Sequence, residues 1–151
     1  MDKILQAKKL IEEADAIVIG AGAGLSAAAG LTYSGERFEK NFKEFIAEYK
    51  MTDMYSAGFY PFKTSEEKWG FWSKQILVNR YTDEGIELHR DLYNIVKDKD
   101  YFVLTTNVDS KVEMSGFDKS KIFEVQGKEI SENFNVLCHV ITKFIITKTK
   151  C

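Results

Sequence analysis

Three short stretches of this chain carry residue types suited to gripping a phosphorylated ligand. The first is Gly20-Ala21-Gly22-Ala23-Gly24-Leu25-Ser26-Ala27-Ala28-Ala29-Gly30, directly after the apolar run Ile17-Val18-Ile19. Glycines between a strand and a helix let backbone N–H groups approach a phosphate with no side chain in the way, and the helix N-terminus adds positive potential. The second is Thr105-Thr106-Asn107-Val108-Asp109, after Tyr101-Phe102-Val103-Leu104. Asn107 offers a carbonyl and an amide and Asp109 a charged acceptor, a set that suits ribose hydroxyls or a carboxamide. The third is Gln126-Gly127, past the run from Lys121 to Val125. A glutamine is a poor general base, but it orients a hydroxyl or a water through two hydrogen bonds. Each stretch also has a plainer reading: a tight strand–helix turn without ligand, a helix cap built from Thr, Asn and Asp, and a polar loop residue.

The surrounding pattern supplies the elements that would position these residues. Residues 2–14 carry Ile4, Leu5, Ala7, Leu10, Ile11 and Ala14 as a helical stripe with charges opposite. Ala16 to Ile19 is a continuous apolar run ended by glycine, which predicts a central parallel strand buried on both faces. The alanine-rich segment after Gly24 predicts a helix packed closely on the sheet. From Phe38 to Arg80 the chain becomes aromatic-rich, with Phe38, Phe42, Phe45, Ile46 and Tyr49 at helical spacing and Trp69-Gly70-Phe71-Trp72 further on. This predicts a mostly helical insertion, with a break at Pro61. An amphipathic helix over 85–98 and strands over 101–104 and 121–125 complete the pattern. Strand–helix alternation of this kind predicts an α/β fold with a Rossmann-like parallel sheet, and the ligand crevice of such sheets lies at the carboxyl ends of the strands.

Bulk properties narrow the function. A chain of 151 residues with 44% hydrophobic and 29% charged residues is long and apolar enough for one globular domain. A formal charge of −2 leaves no basic surplus for nucleic acid. No apolar run approaches the ~20 residues that span a bilayer, and the N-terminus lacks the apolar segment of a secretory signal, so the expectation is a cytoplasmic protein with no membrane partner. Cys138 and Cys151 make neither a disulfide framework nor a metal site, and adjacent Cys138 and His139 lack the further ligands a tetrahedral ion needs.

In order and spacing, Gly22-Ala23-Gly24-Leu25-Ser26-Ala27-Ala28-Ala29-Gly30, Thr105-Thr106-Asn107-Val108-Asp109 and Gln126-Gly127 resemble successive motifs of the sirtuins, NAD-dependent protein-modifying enzymes. Leu31-Thr32-Tyr33-Ser34-Gly35-Glu36-Arg37-Phe38 stands in place of the usual sirtuin Ile-Pro-Asp-Phe-Arg, and Gln126 stands where deacylating sirtuins carry their catalytic histidine. These departures and the Trp69–Trp72 segment are similar to the macrodomain-linked class M sirtuins of microbes.

The resemblance implies NAD as the bound nucleotide. Gly22, Ala23, Gly24 and Ser26 would cradle its diphosphate, and Arg37 and Phe38 would lie on a mobile loop over the nicotinamide ribose. Thr106, Asn107 and Asp109 would hold ribose and carboxamide, and Gln126 would orient the attacking group. A deacylase needs a base near neutral pKa, which a neutral amide cannot supply, whereas ADP-ribosyl transfer needs mainly positioning and charge stabilisation. The expectation is therefore a protein ADP-ribosyltransferase, with a lipoyl-carrier protein as acceptor and a macrodomain hydrolase as functional partner. NAD-dependent deacylation and a non-catalytic phosphate-binding fragment are the alternatives. His89, within the helix over 85–98, is read as far from the strand ends and as a surface or packing residue.

The resemblance covers residues 1–130, read as the N-terminal part of an NAD-binding catalytic domain. Residues 131–151 carry none of the zinc module or the further strands of a complete sirtuin, so zinc would belong only to that absent part. Back-translating Cys138 to Phe144 and reading from the third base of the cysteine codon permits Pro-Cys-His-Asn-Lys-Ile, a segment of the class M type. The tail is thus read as frameshifted, against the alternative of a genuine short protein. Either way the expectation is a sheet incomplete at its C-terminal side, with an apolar edge exposed.

Overall fold

A computed structural model describes residues 2–126 of the chain. Gly127 and the tail 131–151, with Cys138 and His139, lie outside the described residues. The described elements run α1 (Lys3–Glu13), β1 (Ala16–Ala21), α2 (Ala23–Ala28), α3 (Glu36–Asn41), α4 (Lys43–Tyr49), α5 (Met54–Ala57), α6 (Ser65–Arg80), α7 (Ile86–Val96), β2 (Asp100–Thr105), α8 (Lys111–Met114), a 3-10 turn (Lys119–Lys121) and β3 (Ile122–Glu124). The fold is α/β. The three strands form one parallel sheet in the order β1-β2-β3, with Ala16 opposite Asp100 and Val103 opposite Ile122. These residues divide into two compact units, one of residues 2–29 and 85–126 and the other of residues 30–84.

In the sheet-bearing unit, one face of the sheet carries the core. Ile17, Ile19, Tyr101, Val103 and Ile122 pack with Leu92, Tyr93 and Val96 of α7, Val112 of α8, and Phe117. The rings of Tyr93, Tyr101 and Phe117 meet with centroids 5.1–6.4 Å apart, in edge-on and tilted arrangements that aromatic pairs favour. The helices that precede β2 and β3 therefore lie on the same side. That follows from connections of one hand stepping twice in the same direction across a sheet.

The expectation that Ala16–Ile19 forms a central strand buried on both faces is corrected. β1 is paired only with β2 among the described residues, and its Val18 is 68% exposed. The central strand is β2, which alternates between buried Tyr101, Val103 and Thr105 and exposed Asp100, Phe102 and Leu104. The stripe on α1 is likewise present in sequence but buries no residue. Lys99 tethers the end of that helix, its ammonium donating to the carbonyls of Glu12 and Ala14 at 2.8 and 3.0 Å.

The second unit is the helical, aromatic-rich segment expected from the sequence. Phe38, Phe42, Met51, Met54, Ala57, Phe71 and Val78 form its core, with Phe45, Ile46, Tyr49, Phe62 and Trp72 packed around them. Pro61 falls between α5 and α6, as predicted. A reciprocal cap starts α6: the Thr64 hydroxyl accepts from the Glu67 N–H, and the Glu67 carboxylate accepts from the Thr64 N–H.

Arg37 clasps this unit internally. Its Nε donates to the Glu84 carboxylate at 2.9 Å, and one Nη to the Thr32 carbonyl at 3.1 Å and Asn79 Oδ1 at 2.9 Å. The other Nη donates to the Val78 carbonyl at 2.8 Å. Residues at the start and the end of the unit are thus tied to one guanidinium. No helix among the described residues is long and apolar enough to cross a membrane.

Candidate functional site

Because Ala21 and Thr105 are in register on adjacent parallel strands, the turns that follow them leave the same end of the sheet. The Thr106 N–H donates to the Ala21 carbonyl at 3.1 Å and the Val125 N–H to the Thr105 carbonyl at 2.9 Å, extending the ladder one step beyond each pair of strands. The turns after β1, β2 and β3 are therefore gathered at the carboxyl end of the sheet, where open parallel sheets bind ligands. Gln126 stands at this end and is exposed.

Asn107 joins the first two turns. Its Nδ2 donates to the Gly22 carbonyl and to Ser26 Oγ, both at 2.9 Å. A backbone carbonyl only accepts, so this contact fixes the amide orientation and leaves Asn107 Oδ1 as the free acceptor. The Asn107 N–H in turn donates to Thr105 Oγ1 at 3.0 Å. The Ser26 hydroxyl donates to Asp109 Oδ2 at 2.5 Å, and the other carboxylate oxygen accepts from the Lys111 N–H at 3.1 Å. Ser26, Asn107 and Asp109 form one chain of hydrogen bonds that bridges segments 83 positions apart.

The glycine turn is open. A Cβ at Gly24 would meet nothing within 4 Å, and one at Gly22 would lie 3.5 Å from Thr106 Oγ1, an ordinary contact. Packing among the described residues thus demands neither glycine, and the turn is open at Gly24. Ala23 and Gly24 open α2, where the first N–H groups of a helix lack intrahelical acceptors. With six residues, α2 has only a small dipole, so its pull on an anion comes chiefly from those N–H groups.

The sequence-predicted residues are placed unevenly. Gly22, Ser26, Asn107 and Asp109 are in direct contact, and Ala23, Gly24 and Thr106 flank them. Ser26 is 8% exposed and its hydroxyl donates to Asp109, so in this arrangement it holds two turns together. Arg37 and Phe38 belong to the other unit. There the Arg37 guanidinium is engaged as described, and Phe38 is 1% exposed and stacked on Phe42 at 5.3 Å. Both begin a helix, α3, where the expectation was a mobile loop.

Two residues gain details that the sequence did not assign. Thr105 orients the Asn107 backbone; a threonine at an inward strand position next to a polar turn was the available signal. His89 is fully buried, which removes the surface alternative. Its Nδ1 donates to the Gly85 carbonyl at 2.7 Å, and its Nε2 has no hydrogen-bond partner among the described residues. Among the described residues no three His, Cys, Asp or Glu side chains are grouped to hold a metal ion.

The hydrogen-bond chain makes a stability prediction. Ser26→Ala leaves the Asp109 carboxylate with the Lys111 N–H and removes one acceptor of Asn107. The expected loss is about 1–3 kcal/mol, the range for hydrogen bonds to charged groups. Urea unfolding followed by far-UV circular dichroism measures it; no loss means that water replaces the hydroxyl.

No protein-family model matches the chain. Over 145 residues it is 40% identical to a "Protein ADP-ribosyltransferase" of Staphylococcus aureus, a match covering 93% of this chain and 46% of that protein. Over 137 residues it is 31% identical to a "Probable bifunctional ADP-ribose hydrolase/ADP-ribosyltransferase" of Fusarium oxysporum f. sp. cubense, covering 80% of this chain and 21% of the relative. The chain spans less than half the length of either curated relative.

Proposed function

We propose that the chain is the NAD-binding portion of a protein ADP-ribosyltransferase of the sirtuin type. One observation carries this reading: Asn107 locks the turn after β2 onto the glycine turn after β1, leaving its carbonyl oxygen as an acceptor and the glycine turn open. The likeness to the Staphylococcus aureus protein and the three sirtuin-like stretches support it.

In the proposed reaction the bond between nicotinamide and ribose C1′ breaks, nicotinamide leaves, and an acceptor side chain bonds to C1′ and loses its proton. NAD supplies the activated ribosyl group. The first N–H groups of α2 would hold the diphosphate, and Asn107 Oδ1 would accept from a ribose hydroxyl or the carboxamide. Asp109 would act through Ser26, fixing the hydroxyl that helps to hold Asn107. Gln126 would orient the incoming group without serving as a base, which favours transfer over deacylation. The acceptor would be a protein, with a lipoyl-carrier protein as the specific case. The hydrolase named together with the transferase in the fungal relative supports a functional link to an ADP-ribose hydrolase, with a macrodomain as its form.

Calorimetric titration of the chain with NAD and with ADP-ribose tests the reading. Saturable heat with both is expected, and weaker than for the full-length bacterial relative. No heat with either ligand overturns it in favour of a non-catalytic fragment.

A further inference from the structure

Ser110 holds a backbone conformation that serine rarely adopts. Among the described residues, two that are not glycine have positive φ, Lys50 at 56° and Ser110 at 57°. Lys50 ends α4, the ordinary place for a left-handed residue, and its N–H donates to the Ile46 carbonyl. Ser110 instead stands immediately before α8, with ψ at 12°. A residue that caps a helix start is extended and offers its side chain to the first N–H groups. Ser110 does neither. It is left-handed, and its buried hydroxyl has no hydrogen-bond partner among the described residues. Capping therefore does not account for it, and what remains is the direction its backbone gives to its neighbours.

Those neighbours serve different ends. Asp109 belongs to the candidate site, one carboxylate oxygen accepting from Ser26 and the other from the Lys111 N–H. Lys111 and Val112 open α8 at 0 and 5% exposure, and Val112 packs in the core of the sheet. The Ser110 carbonyl accepts from the Met114 N–H at 3.0 Å, so the helical bonding starts at Ser110 itself. A single residue thus separates the carboxylate held by Ser26 from a helix seated on the sheet. Returning Ser110 to an ordinary negative φ is a rotation of about 120°. That rotation lies between the Asp109 side chain and the Lys111 N–H, so it swings the donor away from Oδ1. With α8 fixed in the core, it is Asp109 that is carried off Ser26. Strain of this kind persists where the surrounding structure imposes it, and it gathers at functional sites. We infer that Ser110 is a positioning residue of the candidate site: its left-handed backbone keeps Asp109 on Ser26, and through Ser26 steadies Asn107 on the glycine turn. Its bearing on ligand binding rests on the ADP-ribosyl transfer reading; its hold on Asp109 does not.

Amide hydrogen exchange in the full chain, read residue by residue by NMR, tests it without ligand. Ser110→Val demands positive φ from a β-branched residue, which resists it, whereas Ser110→Gly adopts it freely. In Ser110→Val the Lys111 amide is expected to exchange at least about tenfold faster than in the unaltered chain, with the Val103 amide of β2 unchanged. Ser110→Gly, the conservative variant, should restore slow exchange at Lys111. General weakening of the fold would instead speed Lys111 and Val103 alike. Equal acceleration at both amides therefore overturns the inference. So does an unprotected Lys111 amide in the unaltered chain, or a glycine variant that exchanges as fast as the valine one. If Ser110→Val does not fold, Ser110→Ala decides by the same comparison, since alanine resists the left-handed region less than valine. Calorimetric titration with ADP-ribose then carries the result to the proposed reaction. Affinity should fall about tenfold in Ser110→Val and return in Ser110→Gly, and unchanged affinity in Ser110→Val overturns the role in binding. A chain that binds no ADP-ribose at all fails the transferase reading alone, because the exchange comparison decides the hold on Asp109 without it.

Discussion

Arg37→Ala is expected to destabilise the helical unit by about 2–4 kcal/mol, the largest loss of any single polar substitution in it. The ion pair with Glu84 supplies the smaller part, because the Glu84 side chain is 50% exposed and its charge is screened by water. The larger part comes from the acceptors left behind. Asn79 is 9% exposed, and it loses the donor to its Oδ1. The carbonyls of Thr32 and Val78 each lose a charged donor as well, though Val78 keeps the Thr82 hydroxyl at 2.9 Å. Arg37→Lys is expected to recover only part of the loss, since one ammonium cannot reproduce a planar fork aimed at four acceptors. Glu84→Gln should cost less than about 1 kcal/mol. The chain contains two tryptophans, Trp69 and Trp72, and both lie in α6. Tryptophan fluorescence during urea unfolding therefore reports on this unit. A loss below about 1 kcal/mol for Arg37→Ala would show that water satisfies those acceptors equally well.

At the candidate site the largest effect is expected at Asn107. Asn107→Ala removes the donor to the Gly22 carbonyl, the donor to Ser26 and the free Oδ1 acceptor together. ADP-ribose binding should weaken by about 10- to 100-fold, the equivalent of one or two hydrogen bonds to a charged or ordered partner. Asn107→Asp separates the two roles. It keeps an acceptor in place, but it turns a carboxylate towards the Gly22 carbonyl and the Ser26 oxygen, where only donors are tolerated. Affinity for ADP-ribose is expected to fall at least as far as with alanine. Calorimetry on both variants, with circular dichroism as the folding control, provides the test. Wild-type affinity for Asn107→Asp would mean that the amide donors play no part in shaping the turn.

Much of this arrangement was readable from the chain itself. Apolar runs ended by glycine and threonine marked the first two strands, the run from Lys121 to Val125 marked the third, and the density of aromatics from Phe38 onward marked the helical insertion. What sequence misjudged was exposure. Val18, Phe102, Leu104 and Phe123 are as apolar as their inward neighbours, so the period-two alternation that reveals a one-sided sheet is missing and the runs read as buried on both sides. The residue types anticipate a covering that the described residues do not supply. The roles of Ser26 and Arg37 were hidden for another reason. Each acts through partners scattered along the chain, Asp109 for one and Thr32, Asn79 and Glu84 for the other, and no local period records such meetings. His89 reads as amphiphilic in a helix, and only the three-dimensional arrangement shows that it is wholly enclosed.

The clasp at Arg37 also bears on the order of events during folding. β1 and the glycine turn leave the ribosome long before β2, and the hydrogen bond from Ser26 to Asp109 must close a loop of 83 positions. In an unstructured chain that closure is slow and entropically costly. The intervening helical unit has mostly local contacts, and its Arg37 draws residue 32 and residue 84 to the same guanidinium. Once it has collapsed, the search that remains for β1 is that of a far shorter tether. Loosening the clasp should therefore delay the appearance of the hydrogen-bonded glycine turn during refolding.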